Sequence, residues 1–202
     1  MTTLNTANYT VGQAELYFDS SPNHASLDAG TTNGIGSDFR TTGRNFGNIV
    51  TMDIAPEVTY LDHMITTSGG DRRKDLTVAN SKTITVPFTF DEINEANFRK
   101  YLFGTDVSSS VNAAASPAFT VMTNVLDYGS AQLYFRTDVG NDFVWMIPKC
   151  TIRPDGNMTL NAEDWWQAPM VLEIFYTSTW DPSNEASGVE AGTAPYGIVS
   201  FA

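Results

Sequence analysis

Apolar and polar residues alternate along several stretches of this chain, and a period of two predicts strands rather than helices. The sharpest alternation runs from Asn48 to Asp62. Val50, Met52 and Ile54 fall on one side of it, with Thr51 and Asp53 on the other. Beyond Pro56, Val58 and Tyr60 alternate with Glu57 and Thr59. Proline brings no N–H to a ladder, so a bulge or bend is expected at Pro56. A second alternating stretch sets Ile84, Val86, Phe88 and Phe90 against Thr83, Thr85, Pro87 and Thr89. No crossover helix separates the two, so they are expected to pair as a long antiparallel hairpin. Each predicted arm is longer than the usual strand of about 5–6 residues.

Other strands are expected at Ala14–Phe18, Ala118–Thr123, Ala131–Thr137, Phe143–Ile152, Met158–Leu160 and Gln167–Ser178. Tyr196 to Val199 would add a final edge strand. Gly140, Asn141 and Asp142 mark one hairpin tip, and Pro154, Asp155 and Gly156 mark another. One helix is predicted over Asp91–Gly104. Thr89 and Glu92 have capping-box spacing, Asp91 is an alternative cap, Arg99 and Lys100 suit the C-terminal dipole, and Gly104 is a stop. Ile93, Ala96, Tyr101 and Leu102 form its expected buried stripe.

Two long exposed stretches, 20–48 and 62–81, show no sustained period and read as loops. Loops this long are unusual inside a compact domain; such a segment either moves freely or orders against a neighbouring molecule. The tail 181–202 reads as loose up to its final strand. The fold class is therefore mainly β: an antiparallel sandwich or open barrel with one packed helix and long loops, as a single domain over 1–202.

Composition narrows the function. The chain has 202 residues, 42% of them hydrophobic, enough for one domain with a core. No apolar run approaches the roughly 20 residues of a membrane-spanning helix, so no membrane insertion is expected. The first ten residues lack the basic-then-apolar order of a secretory signal, so folding in the cytosol is expected. Cys150 is the only cysteine, which excludes a scaffold held by internal disulfides. Lys and Arg number 11 against 23 Asp and Glu, for a net charge of -12. After Arg153 come seven acids and no basic residue. A chain that grips nucleic acid carries a basic patch. This one reads either as simply soluble or as a surface that stays near a polyanion without sticking to it.

Chemistry is sparse. His24 and His63 sit in or beside loops, with no triad signature around them. Cys150 falls within a predicted strand and is expected in the core. No CxxC, HExxH or EF-hand spacing occurs, so no metal site, cofactor or catalytic residue is expected. Nothing singles out a carboxylate pair for glycoside hydrolysis among the 23 acids. The segment Gly69, Gly70, Asp71, Arg72, Arg73, Lys74, Asp75 lacks Walker spacing and no helix follows it. Its cations are hemmed in by acids including Asp62, so with Asp62 and His63 it reads as an inter-subunit salt-bridging loop. Trp165 and Trp166 are either a sugar-stacking platform or one core and one interface residue.

Several of these stretches together are similar to the tail tube proteins of long-tailed bacteriophages. The shared order is Gly47-Asn48, then Pro56-Glu57-Val58, Asp62-His63, Gly69-Gly70 with Arg72, Arg73 and Lys74, a Thr-rich strand, and Asp91-Glu92-Ile93-Asn94. The opening GQAELYFD and the closing APYGIVSF also resemble that family. The likeness covers about two thirds of the chain and leaves 105–165 unmatched, and the 20–48 loop is longer than the pattern.

The resemblance implies a structural virion protein assembled in the bacterial host's cytoplasm. Hexameric rings would join their hairpins edge to edge around a channel and stack head to tail, removing open strand edges. Partners would be further copies of the chain, the tape measure protein, the tail terminator and baseplate proteins. DNA would pass through without specific binding. Residues expected to line the channel are Thr51, Asp53, Glu57, Thr59, Thr83, Thr85, Thr89 and Glu173. Three rivals stand beside this reading: an acidic carbohydrate-binding or adhesin module, an acidic hydrolase for which no motif speaks, and another tail connector or baseplate component.

Overall fold

The computed structural model describes residues 11–20, 44–106, 119–124, 126–160, 162–178 and 194–201. Most of the 20–48 stretch, with His24, lies outside them, as do 107–118 and 179–193. The described residues form a mainly β, antiparallel structure with one helix. The strands are β1 Val11–Asp19, β2 Arg44–Asn45, β3 Ile49–Met52, β4 Ala55–Thr66, β5 Arg72–Phe90, β6 Thr105–Asp106, β7 Phe119–Thr120, β8 Tyr128–Val139, β9 Phe143–Pro154, β10 Ala168–Ile174 and β11 Ile198–Phe201. The helix, α1, spans Glu95–Tyr101. No helix among the described residues is long and apolar enough to cross a membrane.

Nine strands make one open sheet in the order β2-β1-β8-β9-β10-β5-β3, with β11 on β9 and β4 on β5. β6 and β7 form a small separate pair. The sheet curls on itself, because residues four strands apart in that order share one core. Leu16 and Phe18 from β1 belong to the same buried cluster as Val86, Phe88 and Phe90 from β5. Between them lie Leu133, Trp145, Ile147, Ile152, Met170 and Leu172. β9 is buried on both faces, since Val144 and Met146 join Tyr17 and Tyr134 in a second cluster under Ala194 and Ile198. That explains its unbroken apolar run Phe143–Ile147, where alternation would leave one face wet.

The helix is shorter than its sequence signals. It begins at Asn94, whose side chain accepts from the Asn97 N–H at 2.9 Å, so neither Thr89 nor Asp91 is the cap. Asp91 instead accepts from the Asn48 side chain at 2.9 Å. Ile93 and Tyr101 pack on the main core, and Asn97 is the helix's buried residue. Phe103, not Gly104, takes the left-handed conformation after the helix, at φ 50°. Gly104 is needed for space: a Cβ there would lie 2.6 Å from the Thr120 carbonyl oxygen.

Three other expectations change. Phe46, inside the presumed loop, is fully buried, with its ring edge-on to Phe88 and Phe90 at 5.5 and 5.7 Å. Its N–H donates to Leu16 at 3.1 Å, extending the β1–β2 pairing. In β3 the alternation is broken by a register shift between Ile49 and Thr51. Ile49 and Met52 face the core as a result, and Val50 and Ile54 are exposed. Met158–Leu160 contributes only a single bridge, Thr159 to Gln167.

Candidate functional site

The inter-strand register decides which residues share a face. In β5, Val86, Phe88 and Phe90 are buried, so Thr83, Thr85, Pro87 and Thr89 point to the opposite side. Direct partners carry that side across the sheet: Glu173 opposes Thr85, Thr51 opposes Thr89, and Glu57 opposes Thr83. Thr59 opposes Ser81, their hydroxyls 2.5 Å apart. Thr51, Glu57, Thr59, Thr83, Thr85, Thr89 and Glu173 thus lie on one face, interrupted by Pro87 and its buried partner Val171. Asp53 is exposed in the break between β3 and β4, its N–H donating to Pro87 at 2.9 Å, and no ladder partner places it on that face.

One residue of this face was missed from the sequence. Arg153 opposes Val171, and its Nε donates to Glu173 at 3.5 Å. Glu173 is therefore not an isolated carboxylate between Leu172 and Ile174 but half of an ion pair with Arg153, while Lys149, exposed further along β9, lies over the Tyr128 ring. The alternation of β10 gave the side chain's direction; only the β9–β10 pairing could supply the partner.

The second surface is the far end of the β4–β5 hairpin. β10 pairs with β5 only from Ile84 onward, while β4 continues with it to Arg72. The hairpin therefore leaves the sheet as a two-stranded arm. Every residue of β4 is exposed, and so is every residue of β5 from Arg72 to Thr83. The stretch 62–81 is thus not a loop: it is paired strand with a short turn at 67–71. Charged residues on a ribbon wet on both faces hid the strand pattern. Nor is one face apolar and the other polar. Leu61 and Val78 face each other on one side, and Val58, Tyr60 and Met64 lie on the other. Tyr60 and Leu61 are each 65% exposed. Pro56 sits within the ladder opposite Ile84, and the register shifts occur further on, at Thr59/Tyr60 and His63/Met64.

The charges expected to bridge subunits pair first within the arm. Lys74 Nζ lies 2.7 Å from Asp62, which also accepts from the Thr77 hydroxyl at 2.9 Å. These bonds, Lys74's first, hold the Asp62 carboxyl below its ordinary value. His63 Nδ1 lies 2.7 Å from Asp75, and Arg73 lies 3.9 Å from Asp71. All six side chains are exposed, so the pairs add little stability. At the tip, Gly70 needs its positive φ of 84°, and its N–H donates to Thr67 at 2.9 Å. Gly69 has no such need, and a Cβ there would meet nothing.

Two clefts complete the surface. One, of about 350 Å³, opens where the curled sheet fails to close, between Gly12–Ala14 of β1 and Ile49–Met52 of β3. The other, of about 290 Å³, is lined by Thr89, Asn157, Thr159, Asp164, Trp165, Gln167 and Pro169. Trp165 is 82% exposed and Trp166 47%, so neither is the core residue expected of one of them. Cys150 is fully buried, and burial pushes its thiol's pKa up. Among the described residues, no group of three His, Cys, Asp or Glu side chains could hold a metal ion.

No family model matches this chain, and no curated protein matches it in sequence.

Proposed function

We propose that this chain is the subunit of a phage-type tail tube, polymerising with its own copies into a hollow conduit for DNA in the virion. The observation that carries the reading is the arm. A two-stranded ribbon is at best marginally stable alone in water. This one leaves seven large apolar residues uncovered: Val58, Tyr60, Leu61, Met64, Ile65, Leu76 and Val78. Its outer edges have no ladder partner among the described residues. Both deficits are met at once when neighbouring copies cover the arm.

The polar face supports the same reading. Lysines on a channel wall would bind DNA by releasing its counterions and slow its passage. Threonine hydroxyls and carboxylates give no such affinity, and of the cations that β9 turns to this side Arg153 pairs with Glu173 and Lys149 lies over the Tyr128 ring. Transport is then passive, with the wall contributing low adhesion rather than force.

Electron microscopy of the concentrated protein tests this: hollow cylinders of constant diameter are expected. A strictly monomeric particle at every concentration and ionic strength would refute the proposal. The exposed Trp165, beside polar groups in its cleft, favours a second reading as a carbohydrate-binding module, and binding on a glycan array would support that instead.

A further inference from the structure

The arm joins the body at a weak point. β10 ends its pairing with β5 at Ile84, and beyond that residue β5 has only β4 beside it. Opposite Ile84 stands Pro56, which brings no N–H to the ladder. The chain enters β4 through the exposed break at Asp53 and Ile54. A few residues at the end of an element, with little packed around them, are where a hinge forms. Two residues beyond this root, one bond ties the ribbon back. The Tyr196 hydroxyl donates to the Lys82 carbonyl oxygen at 3.3 Å. Among the described residues, every other side-chain hydrogen bond or ion pair of the arm joins arm to arm.

We infer that Tyr196 is the latch of the arm: its hydroxyl fixes the angle at which the ribbon leaves the sheet, about a hinge at Pro56 and Ile84. The body holds the latch firmly. The Tyr196 ring packs on the main core and lies edge-on to Tyr176 at 6.0 Å. On one side of it, Pro195 accepts from the Thr177 N–H at 3.0 Å. On the other, the Gly197 N–H closes a turn onto Ala194 at 3.0 Å, and β11 then pairs with β9. Gly197 takes a φ of 101°, and a Cβ there would collide with the Met146 carbonyl oxygen, so the turn is pressed against β9 in a place only glycine fits. A rigid segment thus meets a hinged one through a single hydroxyl. The latch belongs to the single subunit, and only its effect on assembly rests on the tube reading. An arm held at one angle has less orientational freedom to lose when neighbouring copies cover it, which strengthens that contact without adding to it.

Spin labels at Gly69→Cys, where a side chain meets nothing, and at exposed Asp155→Cys report the arm's angle in the free subunit, with buried Cys150 left unlabelled. The distance between the labels should be narrowly distributed with Tyr196 in place. It should broaden or shift in Tyr196→Phe, which loses only the hydroxyl. Tyr176→Phe is the control: it removes a hydroxyl with no hydrogen-bond partner among the described residues from the neighbouring ring, and should change nothing. Without labels, Tyr196→Phe should melt within about 4 °C of the wild type. It should need roughly two- to tenfold more protein to form tubes, the worth of one exposed hydrogen bond. An unchanged distance distribution in Tyr196→Phe, or the same change in Tyr176→Phe, would overturn the latch. A larger fall in melting temperature would make Tyr196 a packing residue and overturn it too. A changed distribution with tubes at the wild-type concentration would overturn its part in assembly. A wild type that never forms tubes would overturn the tube reading and leave the label distances to decide the latch.

Discussion

Leu61 and Val78 face each other across the arm, 65% and 51% exposed. Replacing both with threonine keeps the β-branched or pleat-compatible shape that strands favour while removing apolar surface. Because so little of either side chain is covered in the subunit, the double variant should cost no more than about 0.5 kcal/mol in folding. For a chain of this size that is a shift of no more than about 2 °C in Tm. Assembly should respond differently. Full burial of such a side chain contributes about 1.5–3 kcal/mol, and more than half of each remains to be buried. Losing that gain at both positions removes about 2 kcal/mol per contact, which raises the protein concentration needed for assembly roughly 30-fold. Scanning calorimetry gives the first quantity, and sedimentation across a dilution series gives the second. A large fall in Tm would mean that these residues are packed within the subunit. Unchanged assembly would mean that the arm's apolar faces are not its contact surface. Either result breaks the argument.

Phe46→Ala should destabilise the subunit by about 3–5 kcal/mol in urea, since it empties a fully buried site between Phe88 and Phe90. Gly129→Ala should cost about 1–3 kcal/mol or more, because the new Cβ would lie 1.9 Å from the Asp19 carbonyl oxygen; a melting curve checks it. Cys150 should resist a thiol reagent at pH 8 in the folded protein and react once urea unfolds it; rapid native labelling would contradict its burial. The Asp62 carboxyl is depressed, so whatever it contributes is present above its ordinary value of 3.8 and lost as pH falls through its lower folded value. An NMR titration should place its midpoint below 3.8, and Lys74→Ala should raise it.

What the sequence determined by itself follows from periodicity. Thr83–Phe90 alternates because one face is buried and the other is not, and the structure places a strand there; of the predicted Gln167–Ser178 only Ala168–Ile174 is strand, with Met170, Val171 and Leu172 all buried. The burial of Cys150 and the final strand near Ile198 were legible for similar local reasons. The antiparallel pairing of the Asn48–Asp62 stretch with Thr83–Phe90 was legible as well, but the arm's outer part, 62–81, was not, because alternation records a difference between two faces and its faces are both wet. Phe46 was not, because one aromatic among small polar residues has no period, and its burial depends on β1, β5 and α1 meeting around it. The same limit applies to the polar face. Sequence gave the direction of Glu173, while pairing with β9 set Arg153 against it. The curl of the sheet, the two clefts and the exposure of Trp165 belong wholly to the tertiary structure. Local pattern tells a side chain which way to point, and only contacts between residues far apart in the chain decide what, if anything, lies there.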